Sequence, residues 1–205
     1  EDMEQIYLDF LELNTDRYAA SSSYGSGYHE MEKRDLSSVW CAKCQVTGPV
    51  TFGLTITDQD RRPLAYDEQY FDMLSKLMAL RAGWYESLLI RAGAPRTLVV
   101  VDEPYLAALG SSVMQITPAM VAGALEDISS LVQGGIGVHC CSNTDWGLLM
   151  SLNPAVISLD AYGTSREFLL YPDQIAAYLE RGGIIAWGVV PAELDKFDRE
   201  STETL

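Results

Sequence analysis

The segment Arg96-Thr-Leu-Val-Val-Val-Asp102 decides the fold class of this chain. Its apolar run has no polar alternation, and such runs are typical of parallel β-strands that are covered on both faces. In the preceding residues 66–92 the apolar side chains recur at helical spacing, and Gly93 is a good stop residue. A long helix that leads into a buried parallel strand predicts an α/β protein.

The same alternation of helix and strand continues toward the carboxyl end. The hydrophobic pattern predicts helices at about 118–132, 146–152 and 172–181, strands at 136–139, 155–160 and 184–189, and an earlier strand at 39–47. Thr117 is the expected N-cap of the first of these helices. Because helical crossovers join the strands, we predict a parallel sheet of five strands.

Polar residues follow the predicted strands at the point where each strand ends: Gln45, Thr47, Asp102, Glu103, His139, Cys141 and Asp160. Polar groups at the carboxyl ends of successive strands are typical of the (β/α)₈ TIM barrel. A doubly wound sheet also binds ligands at strand ends, although no Gly-rich phosphate turn of the dinucleotide kind follows any strand here, and it stays as the alternative. A complete barrel takes about 250 residues, so five strands predict an incomplete one.

These patterns divide the chain into two regions. Residues 1–38 are predicted to form an N-terminal helical segment and a flexible Ser/Gly/Tyr-rich stretch, and residues 39–205 a partial (β/α) barrel domain. The first residue, Glu1, is not an initiator Met, and the chain stops at Leu205 within a charged stretch. We therefore expect a fragment of a longer protein.

The composition limits the classes of partner. Of the 205 residues 48% are hydrophobic, which is enough for one sizeable core. The formal net charge of −15, from 29 acidic and 14 basic residues, repels phosphate backbones and anionic lipid heads, so we expect no nucleic-acid and no membrane partner. No apolar run approaches the ~20 residues of a membrane helix, and the first residues lack signal-peptide features. We predict a cytoplasmic protein.

Three side chains near the strand ends could bind one metal ion. In the strand that ends His139-Cys140-Cys141, alternate residues share a face, so His139 and Cys141 should project together while Cys140 points away. Zinc prefers imidazole and thiolate ligands, and Asp160 at the end of the next strand offers an oxygen ligand. Alternatively, the His and Cys are simply packed and hydrogen-bonded, and Asp160 caps the following helix.

Asp102-Glu103-Pro104 places an acidic pair at the end of another strand. Such a pair can bind a substrate ammonium group or act in proton transfer. Either carboxylate of Asp102 and Glu103 could instead accept hydrogen bonds from nearby backbone donors. The sequence leaves both roles open.

Two further motifs are interpreted as structural. Cys41 and Cys44 have the spacing of a redox or zinc motif, but we place both within a strand, where residues three apart face opposite sides. We therefore expect no paired site there and two buried small residues. The segment Thr47-Gly-Pro-Val-Thr51 is predicted to be a strand end that turns sharply into a loop.

Five ordered motifs resemble a known family. They are QVTGPVT at 45–51, VDEP at 101–104, HCC at 139–141, SLD at 158–160 and GGIIAWGVV at 182–190. In order and approximate spacing they resemble the carboxyl-terminal catalytic barrel of cobalamin-independent methionine synthase. The His-x-Cys motif followed by Ser142-Asn143 is also similar to the zinc-binding methyltransferases of the uroporphyrinogen decarboxylase superfamily, which serve corrinoid proteins and share the barrel.

The resemblance implies zinc as the cofactor, with His139 and Cys141 as ligands. Asp160 stands where the synthases have a glutamate ligand, and Asp102 matches an acid that contacts the amino group of homocysteine. The sequence departs from the family in that nothing after Val190 supplies the last zinc ligand, which in the synthases is a cysteine well downstream of the final Gly-Val-Val strand. The metal shell that the resemblance implies is therefore incomplete in this chain.

From this resemblance we predict a zinc-dependent methyltransferase of methionine biosynthesis type. It would transfer a methyl group to a small-molecule thiol, homocysteine or similar, from a methylated pterin or a corrinoid protein. One alternative is a decarboxylase-like enzyme of the same superfamily that acts on a tetrapyrrole. The other is a non-catalytic binding protein that kept the barrel.

Overall fold

The computed structural model describes residues 2–111, 114–191 and 193–203. The helices are α1 (Asp2–Leu11), α2 (Ser26–Met31), α3 (Pro49–Thr55), α4 (Glu68–Arg91), α5 (Pro118–Leu131), α6 (Trp146–Ser151), α7 (Ala161–Phe168), α8 (Pro172–Glu180) and α9 (Leu194–Phe197). The strands are β1 (Ala42–Thr47), β2 (Thr97–Asp102), β3 (Gly135–Cys140), β4 (Val156–Leu159) and β5 (Ile184–Trp187). Short 3₁₀ helices lie at Asp16–Tyr18, Leu64–Tyr66 and Pro104–Ala108.

The five strands form one parallel sheet in the order β1-β2-β3-β4-β5. Each strand pairs with the strand that precedes it along the chain, without the reversal of strand order that characterises doubly wound sheets. The predicted α/β class, with a five-stranded parallel sheet flanked by helices, is therefore confirmed. Closure of the sheet into a (β/α)₈ barrel stays a prediction.

One face of the sheet carries the core and is here called the covered face. Val99, Val101, Val138, Ile157 and Leu159 are at most 1% exposed. They belong to one apolar cluster with buried residues of α4, α5 and α6. Burial of one such side chain contributes about 1.5–3 kcal/mol, so this layer is the main source of stability.

The alternate side chains of the same strands form the opposite face, here called the open face. Its members are Lys43, Gln45, Thr47, Leu98, Val100, Asp102, Gly137, His139, Val156, Ser158, Ile184 and Ala186. The alternation is sharpest in β1, whose open-face residues are exposed and whose other residues are buried. The apolar run predicts that β2 is covered on both faces. This is the case at the centre of the strand, where the open-face residue Val100 is also buried. The open face as a whole is more accessible.

Helix α4 confirms the predicted helix at 66–92. Asp67 caps it, because the carboxylate accepts hydrogen bonds from the backbone N–H groups of Gln69 and Tyr70. Gly93 follows its last turn with a φ of +88°, a left-handed conformation that favours glycine. The helix packs on β1, β2 and α5 and so holds one side of the sheet.

The predicted strand end at Thr47 is confirmed, but the loop predicted after it is wrong, because Pro49 begins helix α3. Proline suits the first helical position, since its φ is already helical and its missing N–H is not needed there. The next two N–H groups, those of Val50 and Thr51, donate to the carboxylate of Glu103 at 2.9 and 2.8 Å. A Cβ atom at Gly48 would lie 2.1 Å from the carboxyl carbon of Glu103, so the close approach requires glycine. The capping group is remote in sequence, which is why the local pattern missed this helix.

Two smaller expectations also need correction. Cys41 precedes β1 and is half-buried, whereas Cys44 lies in β1 and is buried as predicted. Helix α7 was not among the predicted helices, although the capping alternative for Asp160 implied a helix after that residue. Its start depends on a cap supplied by Asp160, which is described below.

The N-terminal helix α1 packs on helix α4. Tyr7 of α1 donates a hydrogen bond to Asp72 of α4 at 2.7 Å, and Phe10 packs against the main core. Asp9 is 1% exposed and accepts hydrogen bonds from neighbouring side chains, one of them from Tyr18 at 2.9 Å. Among the described residues, no helix combines the length and the apolar content that crossing a membrane requires.

Candidate functional site

The carboxyl ends of the strands bring polar residues into one row on the open face. The strand register pairs Thr47 with Asp102, Asp102 with His139, His139 with Ser158, and Ser158 with Ala186. Side chains that are paired in adjacent parallel strands project from the same face. The row therefore brings Asp102 and His139 next to each other.

Asp102 is held in place from β1. The side-chain amide of Gln45 donates to both carboxylate oxygens at 3.0 Å. The Nζ atom of Lys43 donates to the amide oxygen of Gln45 at 2.6 Å, which orients that amide. Each carboxylate oxygen retains capacity to accept another hydrogen bond, so Asp102 can bind a cationic or N–H group of a ligand.

His139 is held in place by Ser158 of the neighbouring strand β4. Its Nδ1 lies 3.0 Å from the hydroxyl oxygen of Ser158, and the side chain is half-buried. Among the described residues no other hydrogen bond to this ring is formed, so Nε2 is free to bind a metal or a substrate proton. A hydrogen bond at one ring nitrogen is the usual way in which a protein orients an imidazole for work at the other.

The two cysteines that follow His139 differ in environment. Cys140 is fully buried on the covered face, and its thiol donates to the backbone oxygen of Ser142 at 3.2 Å. Burial raises the pKa of this thiol to about 11, so it stays protonated at neutral pH. Cys141 is exposed just after the strand. Cys140 therefore points away from His139, as predicted, and Cys141 is the accessible thiol.

A groove of about 270 Å³ runs along the open face below this row. It is lined by Lys43, Gln45, Leu98, Val100, His139, Val156, Ser158 and Ala186. The lining combines apolar residues with polar side chains from β1, β3 and β4, and a mixture of this kind is usual for a small-molecule site.

Glu103 points into the protein and not into this groove. It is 2% exposed, and its carboxylate accepts hydrogen bonds from the backbone of Val50 and from the N–H and hydroxyl groups of Thr51. Burial raises its pKa from the ordinary 4.5 to about 7, and the three hydrogen bonds offset part of that effect. Glu103 thus takes the alternative role of satisfying backbone donors, whereas Asp102 next to it lies on the open face and is hydrogen-bonded to Gln45.

Asp160 likewise takes its alternative role. It is the N-cap of α7, with a side-chain oxygen 3.3 Å from the N–H of Gly163. Within the ranges that the structure describes, no group of three or more His, Cys, Asp or Glu side chains is placed to hold a metal ion. The donors of His139 and Cys141 suit zinc chemically, but the described residues do not form the implied set of three ligands with Asp160.

Substitution of Asp160 separates capping from metal binding. Asp160→Ala is expected to lower the free energy of unfolding by about 1 kcal/mol, because α7 loses its cap, whereas Asp160→Asn should change it by only a few tenths of a kcal/mol. Chemical denaturation measures both effects. If the residue is only a cap, neither variant changes the zinc content of the protein. Loss of zinc in Asp160→Asn, with stability retained, would show that the carboxylate is a ligand.

Sequence reasoning missed two members of the site, Ser158 and Lys43. Both were detectable in principle, because each occupies an open-face position in a strand whose phase the apolar residues define. What could not be read from one strand is the register, which decides that Ser158 stands beside His139.

Comparisons with protein-family models, with curated proteins and with solved structures give no match to this chain. The resemblance to cobalamin-independent methionine synthase therefore depends on the five motifs alone, and the family stays a prediction.

Proposed function

We propose that this protein is a zinc-dependent methyltransferase that methylates a small-molecule thiol at the open face of its sheet. The observation that carries the proposal is the adjacency of Asp102 and His139 across the β2–β3 register. Each of these side chains is fixed by a polar neighbour, and both lie at the carboxyl ends of parallel strands, where barrel enzymes place their chemistry. The five motifs of the family resemblance support the same proposal.

The proposal includes the barrel. The strand order follows the chain order without reversal, which is the order of a (β/α)₈ barrel and supports a sheet that is part of one. In such a barrel the open face would line the interior. The groove would then lie beneath the substrate.

His139 and Cys141 are the residues that would hold zinc. When bound, zinc lowers the pKa of a nearby thiol, so that a thiolate is available near neutral pH. Ser158 orients the imidazole of His139 through Nδ1. Asp102, oriented by Gln45, would accept the ammonium group of an amino-acid thiol and so position its sulfur.

The reaction balances as a methyl transfer between two nucleophiles. The substrate thiol loses its proton to solvent, from which the nitrogen of a pterin donor takes one up when the methyl group leaves, and the sulfur forms a bond to the methyl carbon. At the same time the bond from that carbon to the donor, a methylated pterin or a corrinoid protein, breaks and leaves its electron pair on the donor. Positioning of both reactants is the main contribution that the protein's own residues make to this step.

Zinc content tests the proposed ligands directly. Protein purified without chelator is expected to contain about one zinc ion per chain by metal mass spectrometry, as a single catalytic site requires. His139→Ala and Cys141→Ser should each lose the metal, because each removes a donor. Cys140→Ser is the matched control and should keep it, since that thiol is buried on the covered face. Equal loss from all three variants would contradict this assignment.

A non-catalytic binding protein is the second candidate. It is favoured by the absence of a three-donor group in the described part of the chain. The two candidates predict different results when Zn²⁺ is replaced by Co²⁺ and the visible absorption spectrum of the cobalt is recorded. A thiol substrate that changes the cobalt spectrum supports the methyltransferase, and a protein that binds neither zinc nor Co²⁺ supports the binding protein.

A further inference from the structure

A second cavity, of about 150 Å³, lies where the end of β1 meets α3 and α4. It is lined by Gln45, Val46, Thr47, Phe52, Met78, Arg81 and Tyr85. The three α4 residues are three and four positions apart, so they share one side of that helix. Gln45 also lines the open-face groove, so the two cavities are neighbours.

Among the residues that the structure describes, Arg81 has no partner in this cavity. Its Nε atom is buried without a hydrogen-bond acceptor. No ion pair within the described ranges involves its guanidinium group. Buried polar groups in native proteins are nearly always hydrogen-bonded, and a charged donor is the most costly to leave unsatisfied. The missing acceptor is therefore the feature of this cavity that needs an explanation.

Other parts of the cavity wall could also contact an anion. The hydroxyl groups of Thr47 and Tyr85 form no hydrogen bond with any described residue, so both are free to donate. The ring of Tyr85 is held by stacking on Tyr28, with 4.2 Å between ring centroids and 29° between planes. Tyr28 in turn donates a hydrogen bond to the backbone oxygen of Gln45 at 3.0 Å. This part of the wall is thus ordered before a ligand binds, which lowers the loss of conformational entropy on binding.

The remaining lining limits the kind of anion. Val46, Phe52 and Met78 are apolar, so a ligand that fits needs an apolar part as well as an acceptor. The chain carries a net charge of −15, and Asp102 lies within hydrogen-bond distance of Gln45. Both facts disfavour a dianion such as phosphate compared with a singly charged group. A monocarboxylate with a short apolar chain satisfies both conditions.

We propose that this cavity binds a short-chain monocarboxylate, or the equivalent end of a larger ligand, through the guanidinium group of Arg81. The carboxylate accepts from Nε and a terminal nitrogen of Arg81, the geometry that a planar guanidinium favours. Thr47 and Tyr85 lie on the same wall and supply further donors. This site does not depend on zinc or on methyl transfer, so it stands or fails separately from the proposed function.

Titration of the full chain with butyrate, followed by NMR, tests this site. Saturable binding is expected, with 1-butanol much weaker because it lacks the charge. Arg81→Gln should weaken butyrate binding at least about tenfold, as expected for the loss of a charge-assisted hydrogen bond. Arg81→Lys should recover part of the loss, since it restores charge without the planar fork. Arg166→Gln, an equal charge change on the exposed side of α7, is the matched control and should bind like the unmutated protein.

Three results would overturn the proposal. They are an absence of saturable butyrate binding, equal binding by Arg81→Gln, and binding of inorganic phosphate that is tighter than that of butyrate. Thermal unfolding of each variant without ligand shows whether it is folded. Because the guanidinium group has no protein partner to lose, Arg81→Gln should unfold at a temperature no lower than that of the unmutated protein.

Discussion

Replacement of Trp146 by alanine is expected to lower the free energy of unfolding by about 3–5 kcal/mol. The side chain is fully buried at the start of α6. Its indole ring meets Phe168 edge to face, with 5.4 Å between centroids, and its Nε1 donates to the side-chain oxygen of Asn143 at 3.1 Å. The substitution leaves a large cavity, removes the aromatic contact and leaves Asn143 without its donor. A loss of this size is a large part of the total free energy of unfolding of a typical domain.

Trp40 provides the matched control for this prediction. It is 73% exposed, and the guanidinium carbon of Arg96 lies 5.4 Å from its ring centroid. Trp40→Ala should therefore cost less than about 1 kcal/mol. Urea denaturation of both variants, followed by circular dichroism, measures the difference. A Trp146→Ala protein as stable as Trp40→Ala would show that the packing around α6 is not as described.

Glu103 is expected to make the stability of this protein fall as the pH rises from about 4.5 to about 7. Burial raises its pKa from 4.5 to about 7 in the folded state, while the unfolded chain keeps the ordinary value. Between these values the folded protein holds a proton that the unfolded chain has released, so a rise in pH favours unfolding. The full change corresponds to about 3 kcal/mol, present below pH 4.5 and lost above pH 7.

The comparison with Glu103→Gln isolates this effect, because the contributions of other titrating groups cancel. The difference in unfolding free energy, unmutated protein minus variant, should decrease across that pH range and be flat outside it. Urea denaturation at several pH values measures it. A difference that increases with pH would mean that the hydrogen bonds from Val50 and Thr51 stabilise the carboxylate more than burial destabilises it, and that the folded-state pKa is below 4.5.

The sequence predicted the elements that depend on local pattern. The apolar run of β2 and the helical spacing of α4 identify their secondary structure, and Gly93 marks the end of α4. Alternation within β3 also predicted that Cys140 would turn away from His139. These features follow from the backbone geometry of a single element, so one segment of sequence contains the information.

The roles of the acidic residues required the tertiary structure. Asp102 and Glu103 are adjacent in sequence and equally suited to a substrate, yet Asp102 lies on the open face beside Gln45 and Glu103 caps α3. Asp160 was an equally good candidate for ligand and for cap, and in the fold it caps α7. The unpartnered guanidinium of Arg81 also became visible only in the fold.

The sequence by itself therefore determined the α/β class, the order of the strands and of helices α4, α5, α6 and α8, and the phase of β3. The tertiary structure decided the register, the partner of each polar side chain and which carboxylates remain available to a ligand. The physical reason is that a carboxylate binds whichever donors the folded chain brings within about 3 Å. For Glu103 those donors lie more than fifty residues away in the sequence, where no local pattern can indicate them.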